Sequence, residues 1–327
     1  ETDMTLNRRT LLTVACATAA ATPLISWGQE YPNKPIKIIV PLPPGGSNDV
    51  LARTLGQKIG ESMGQPVIVE NKPGAAGNIA TDALVKSEPD GYTLAIAPNQ
   101  TVAVNPVLYS KLPFNVLTDV QGISMLGSVP MVLVVHPSVA VSTVGELVAM
   151  AKNDPQKLSY ASAGAGSPQH MAAEVFKSMS GVNITHIPYK GSAPALVDVL
   201  AGTVSVMFCP LNSALPHIRS GKLKALGSTG TKRLTLVADL PTIAETLPGY
   251  ESDIWIGMIA PAKTPRHVIE KLNAELRRVL ELPDVRSKLA EQGITAASSS
   301  ADEFNQLIAT DQKRWAEVIK TANIKPD

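Results

Sequence analysis

Two glycine-rich segments, far apart in the chain, carry the residue types that grip an anion. The first reads Pro41-Leu42-Pro43-Pro44-Gly45-Gly46-Ser47-Asn48-Asp49, and the second Tyr160-Ala161-Ser162-Ala163-Gly164-Ala165-Gly166-Ser167-Pro168-Gln169-His170. Each follows a short apolar run and opens a helical pattern. Glycine lets backbone N–H groups come close to a ligand, and a helix N-terminus adds unpaired donors and a partial positive charge. The first loop contains no Lys or Arg. Its donors are therefore backbone N–H groups with the small side chains Ser47 and Asn48, while Pro43 and Pro44 stiffen the approach and Gly45 and Gly46 clear it. Asp49 suits the first helical turn better than an anion. In the second loop Ala165 and Gly166 expose backbone, and Ser162 and Ser167 can donate hydroxyls or simply cap the helix. His170 can face a cleft or serve the structure. Two such loops on separate halves of the chain imply a cleft that closes on a carboxylate.

Other chemistries find less support. Gly164-x-Gly166 lacks the last glycine of the dinucleotide fingerprint, because Gln169 stands there, and neither loop ends in the Gly-Lys-Ser/Thr of a phosphate-binding loop. No His-Glu-x-x-His occurs, and His136, His186, His217 and His267 lack metal-ligand spacing. We therefore expect neither an enzyme nor a cofactor. A third strand-to-helix loop, Pro188-Tyr189-Lys190-Gly191-Ser192, offers Tyr189 and Lys190, which either line the cleft or pack and solvate. Net charge is +1 and aromatic residues are 4%, which gives nucleic acid no basic, stacking surface.

The elements that position these loops alternate. Strands are expected at residues 36–40, 67–70, 92–96, 131–135, 158–161, 184–187, 204–208, 223–227 and 255–260. Helices are expected at 49–62, from after Gly77 to Lys86, and at 144–152, 168–179, 193–200, 213–220, 265–280, 283–292 and 301–321. The β-α-β order favours parallel pairing. The fold class is thus α/β, as two lobes that are each a mostly parallel sheet flanked by helices. Both glycine-rich loops lie at the carboxyl ends of strands, where such sheets bind ligands. Lobe 1 is expected over residues 29–126 and again over 230–327, with lobe 2 over 127–229. Residues 1–28 have the layout of an export signal: Arg8-Arg9, an apolar stretch, then small residues before Gln29. The paired arginines also fit a twin-arginine route. Beyond that segment Cys209 is the only cysteine, so no internal disulfide is expected.

The order of short motifs closely resembles the Bug receptors, the extracytoplasmic solute-binding proteins of tripartite tricarboxylate transporters. The resemblance rests on Val40-Pro41 with Pro44-Gly45-Gly46 and Asp49, Val69-Glu70-Asn71-Lys72-Pro73-Gly74, Gly77-Asn78, Asp90-Gly91-Tyr92-Thr93-Leu94, Tyr160-Ala161-Ser162 through Ser167 and His170, Ile187-Pro188-Tyr189-Lys190-Gly191, and Asp239-Leu240-Pro241-Thr242. It spans nearly the whole chain after the export segment. It implies a type II, Venus-flytrap periplasmic binding protein, a monomer that holds the carboxylate end of a ligand in the loops at Pro44–Asp49 and Ser162–Ser167. The implied partners are a small organic carboxylate and the membrane subunits of a transporter, or alternatively a membrane signalling protein that senses the liganded receptor. Asn99 matches a position near the cleft or hinge. Many members of the family carry an acid where this chain has Cys209, which implies a pocket altered at that point.

Overall fold

Aliphatic and β-branched runs alternate with amphipathic stretches, and each run becomes a strand. In the computed structural model, which describes residues 31–325, the strands are β1 (Ile36–Val40), β2 (Val67–Asn71), β3 (Thr93–Pro98), β4 (Val120–Val129), β5 (Met131–Val135), β6 (Ser159–Ser162), β7 (Thr185–Pro188), β8 (Val206–Pro210), β9 (Lys224–Ser228), β10 (Ile254–Pro261) and β11 (Thr295–Ala296). The longer helices are α1 (Ser47–Met63), α2 (Asn78–Val85), α3 (Val144–Asn153), α4 (Pro168–Ser180), α5 (Ser192–Leu200), α6 (Leu211–Arg219), α7 (Arg266–Leu280), α8 (Pro283–Glu291) and α9 (Ala301–Thr321). Tyr31–Asn33 belong to an N-terminal unit, and the chain from Lys34 onward forms a second one. The export segment expected at residues 1–28 lies outside the described residues.

The second unit holds two sheets. One has the order β11-β4-β10-β3-β1-β2 and the other β7-β6-β8-β5-β9. In the first, β1 runs parallel to β2 and β3, whereas β10 lies antiparallel between β3 and β4, with β11 antiparallel along β4. In the second, β6 is parallel to β7 and β8, and β5 lies antiparallel between β8 and β9. Strands β1 to β4 thus share one direction, and so do β6 to β9. The expected parallel character holds for strand direction, but each sheet carries one antiparallel strand in its interior. These are the strands by which the chain changes lobes: Pro130 alone separates β4 from β5, and β10 brings the chain back.

The expected changeover at residue 127 falls inside β4, which stays in the first sheet through Val129. The return is also later than 230. Ser228 N–H donates to Pro241 O, and a Cβ on Gly227 would lie 3.0 Å from the Ile243 side chain, so this stretch still packs on the second lobe. The first sheet is rejoined only at Ile254.

Strand alternation divides the core. Met131, Leu133, Val135, Val206 and Phe208 face a cluster that also holds Phe176, Tyr250, Phe304 and Trp315. Val132, Val134, Met207 and Cys209 face the opposite way, toward Ala195 and Val199 of α5 and Ala214 of α6. Successive strand residues point to opposite faces, so each strand contributes to both layers. Helix α9 docks on the first sheet through Phe304, which is fully buried and edge-on to Trp255 at 5.5 Å. Its ring occupies a platform left by two glycines on paired strands, Gly122 of β4 and Gly257 of β10. A Cβ on Gly257 would stand 1.9 Å from the Phe304 ring, and one on Gly122 2.6 Å. Overpacking of this kind forces side chains off their rotamers or shifts backbone. Gly257→Ala should therefore cost about 2–3 kcal/mol in urea-induced unfolding, and a cost below about 0.5 kcal/mol would show that α9 is not held by this platform.

Candidate functional site

The first loop lies between β1 and α1, and its shape is set by Asp49. Gly45 adopts φ +86°, a conformation open to glycine, and its N–H donates to Asp49 Oδ2 at 2.9 Å. Asn71 Nδ2, at the end of β2, donates to Asp49 Oδ1 at 2.9 Å, and Arg53 Nε and Nη2 reach the same carboxylate at about 3.0 Å. Asn71 also holds Leu42 O, and Arg53 Nη2 donates to Asn71 Oδ1. The Arg53 guanidinium, with the Gly45 and Asn71 donors, holds the Asp49 carboxyl down at about 2, below its ordinary 3.8, against the opposing effect of burial. Asp49 is thus the brace of the loop, not a ligand contact. Pro44, Gly45 and Gly46 are exposed above it, and Gly46 caps α1 with no side-chain bond to the first-turn donors. The backbone N–H groups of Gly46, Ser47 and Asn48 make no hydrogen bond to the protein among the described residues, which leaves them for a ligand. Asn48 is buried and its Oδ1 has no partner.

The second loop lies between β6 and α4 and is tied differently. Ser162 is fully buried. Its Oγ lies 2.6 Å from His186 Nε2 and accepts from Gly164 N–H at 3.1 Å. Gly166 (φ +69°) donates its N–H to His170 Nδ1 at 2.9 Å, so that nitrogen keeps its lone pair. The His170 and His186 rings stack at 4.1 Å, and Tyr160 stacks on His186 at 4.7 Å. Glu174 beneath them accepts from Tyr160 Oη at 2.6 Å and pairs with Lys177 at 2.8 Å. Burial, reinforced by the Glu174 charge, pushes the Tyr160 phenol far above its ordinary value. Ser167 caps α4 by accepting from His170 N–H, and Pro168 occupies the first helical position. Ser162, Ser167, Gly166 and His170 are therefore organising groups. The symmetric expectation that both loops present free donors is corrected for Gly166, whose N–H is already used. Gln169, which the sequence did not mark, is buried, donates to Ser192 of the third loop, and leaves its own Oε1 unpartnered.

A set of residues that the sequence did not single out joins the loops. After β2 the chain turns through four consecutive positive φ values: Gly74 +125°, Ala75 +47°, Ala76 +52° and Gly77 +90°. Left-handed backbone at alanine is strained and gathers at functional sites. Asn105 Nδ2 holds this turn through Ala76 O at 2.9 Å and Asn78 Oδ1 at 2.8 Å. A Cβ on Gly77 would clash with Thr101 and lie 3.1 Å from Pro41 of the first loop. Gln100, in the same wide π turn as Thr101, donates to Asn105. Across the lobes, a Cβ on Gly166 would lie 2.5 Å from Leu108 and 3.7 Å from Gln100 Nε2. The contact path thus runs from Pro41 through Gly77, Thr101, Asn105 and Gln100 to Gly166. The Gly-Ala-Ala-Gly stretch was the available signal in the sequence. Asn99 is buried at the start of this segment. It accepts from Gln100 N–H and donates to Asp253 O on the returning chain, so it serves the lobe junction.

The third loop is tied to the second through Tyr189 N–H, which donates to Ser162 O at 3.0 Å, but the Tyr189 side chain turns elsewhere. Tyr189 donates its hydroxyl to Asp198 of α5 at 2.6 Å and packs on the far core of the second sheet. Burial and that carboxylate push its phenol up to about 12. Lys190 is exposed and makes no ion pair among the described residues. Cys209 has no exposed surface. Burial pushes its thiol up to about 12, and its neighbours are Val132, Val134, Ala161 and Ala195. The expectation that Cys209 alters a ligand pocket is corrected: strand parity turns it into the core.

Two lobes joined by crossing strands, with glycine-rich strand-to-helix loops at their sheet ends, define a two-lobed solute-binding protein. The family model "Tripartite tricarboxylate transporter family receptor" matches residues 51–324, and the chain belongs to this family. It is 39% identical over 297 residues to Protein BugT of Bordetella pertussis, covering 90% of this chain and 91% of that one. Among solved structures, R. palustris Rpa4515 with adipate is 34% identical, with a TM-score of 0.78, over 91% of this chain and all of that one. MatC from Rhodopseudomonas palustris with bound malate is 29% identical, with a TM-score of 0.74, over 88% of this chain and all of that one.

Two outcomes test this site. Because Asp49 is held near 2 in the folded chain and near 3.8 when unfolded, its stabilisation is complete above about pH 4 and fades as pH falls toward 2. Asp49→Asn should lower stability at pH 7 and flatten the stability–pH curve between about pH 4 and 2; an unchanged acid limb in urea melts would remove Asp49 from that role. Cys209→Asp buries an unpaired charge and should destabilise by about 3–5 kcal/mol. Cys209→Ala should leave ligand specificity unchanged.

Proposed function

We propose that this chain is a periplasmic receptor that captures a small organic carboxylate between its lobes and delivers it to a tripartite tricarboxylate-type membrane transporter, without chemical turnover. The observation that carries the carboxylate is the N-terminus of α1. Gly46 supplies no side-chain cap, and Asp49 holds the loop from below while leaving the first-turn N–H groups of a 17-residue helix unfilled. Such a terminus favours an anion without needing an arginine. The second lobe supplies a rigid opposing wall, because its own donors are spent on Ser162 and His170. The adipate and malate carried by two related structures are of this ligand class. Family membership supports the periplasmic setting and the transporter as partner. Lobe closure on the ligand would be the state that the transporter recognises.

Gly46 makes a clean test. Its backbone is extended (φ −79°, ψ 169°), and a Cβ there would meet only Pro43 O at 3.8 Å, so Gly46→Val folds. Gly166→Val is less clean, because positive φ and the Leu108 contact strain the lobe junction. Thermal melts of the wild-type protein with adipate, malate and their diamides should show the acids raising Tm by about 5 °C or more at a hundredfold excess over Kd, and the amides not. Gly46→Val should keep its ligand-free Tm and lose the shift. Equal shifts with the diamides, or a full shift in Gly46→Val, would refute carboxylate capture at this loop.

A further inference from the structure

A cavity of about 700 Å³ opens behind the lobe junction and shares no residue with the two glycine-rich loops. Its volume is that of a small-molecule site. One wall is helix α6 of the second lobe, where Leu211, Leu215 and Arg219 recur at four-residue spacing and so form one stripe. The opposite wall is helix α8 with the start of β11, on the first lobe. The two helices meet at one end, where Asn212 Nδ2 donates to Gln292 O at 2.9 Å and a Cβ on Gly293 would stand 2.7 Å from Asn212 Cβ.

The charges are sorted along this groove. Arg219 lies about 10 Å along α6 from Asn212, and Arg286 about 9 Å along α8 from Gln292. Both cations therefore lie away from the joint. Glu291, the single acidic residue of the lining, sits next to the joint. Arg286 is held in place by Leu280 O and Glu281. Arg219 is exposed and makes no ion pair among the described residues. Between the two ends the surface is apolar, and Leu236 on the third side is 57% exposed. We propose that this groove is a second binding site, for an amphipathic anion that lays an apolar body on Leu215, Leu234 and Leu236 and points one carboxylate or sulfonate head toward Arg219 and Arg286. An occupant touches both lobes, since α6 and α8 belong to different sheets' layers.

The probe is 8-anilinonaphthalene-1-sulfonate, an aromatic body with one sulfonate, whose fluorescence rises on apolar contact. Titration of the folded wild-type protein should give a saturable one-site curve. Leu215→Glu and Arg219→Glu should each weaken it at least tenfold, Arg219→Glu with its melting temperature unchanged, and Gly46→Val should leave it as in wild type. Arg219 is on the surface, so Arg219→Glu reports even if Leu215→Glu fails to fold. A titration that does not saturate would overturn the proposal. So would affinity unchanged by Arg219→Glu, or affinity lost in Gly46→Val, which would put the probe in the interlobe cleft instead.

Discussion

The organisation of this protein depends on how the chain leaves one sheet and enters the next. Pro130 stands between β4 and β5 with no residue to spare on either side. It has no N–H to give a ladder, so it suits the point where a strand abandons its partners. Its carbonyl is still satisfied, by Leu211 N–H, and the next residue is clamped to the return chain: Thr229 N–H donates to Met131 O, and Met131 N–H to Thr229 Oγ1. The two crossings are thus bonded to one another. A direct strand-to-strand crossing, unlike a helical crossover, can enter the second sheet antiparallel. That is why β5 interrupts a sheet whose β6, β7 and β8 follow the parallel rule; β10 is reached instead through the longer stretch that follows β9.

The two loops that this frame presents have similar sequences and different physics. In the first, Arg53, Asn71 and Gly45 N–H donate to the single carboxylate of Asp49, whose charge would otherwise oppose an anionic ligand. The neutralised brace leaves the end of α1 electrostatically positive. In the second, a stacked His170–His186–Tyr160 column over Glu174 absorbs the loop's donors and its serine. One loop offers charge complementarity, and the other offers a stiff surface. A closing lobe needs both, because an anion held from one side gains little unless the opposing wall excludes water without rearranging.

Much of this was legible in the sequence. The apolar runs placed most strands to within a residue or two but missed β4, whose mixed Val-Gln-Gly-Ile-Ser-Met-Leu-Gly-Ser-Val carries no clean period, and the short β11; the expected span of α9 coincides with its observed one because Ser300 and Glu303 form a capping box. Glycine-rich segments after strands located both loops. The order of the elements already implied two lobes, and family-level likeness agreed with it. What stayed hidden was long-range. Whether β5 pairs parallel or antiparallel depends on where Pro130 sends the chain, not on its own Met-Val-Leu-Val-Val. The left-handed Ala75 and Ala76 carry no local mark, since alanine is a poor choice for that backbone; they are held there by Asn105, 29 residues away from Ala76. Arg53 is one turn along α1 from Asp49, and its role required knowing that Asp49 points back at the loop.

Cys209 shows how a one-residue matter of parity decides function. A polar or acidic residue at the carboxyl end of a strand beside a cleft invites a ligand role, and the resemblance to receptors that carry an acid there gave Cys209 that role. Its strand alternates, however: Val206 and Phe208 face the layer that runs on into the lobe junction, while Met207 and Cys209 face α5 and α6. On that side the neighbours are small and apolar, which suits a thiol acting as a small hydrophobe. An acid on this face would need a buried partner to offset its desolvation. At this strand end cysteine is thus a core residue, packed with the apolar layer against α5 and α6.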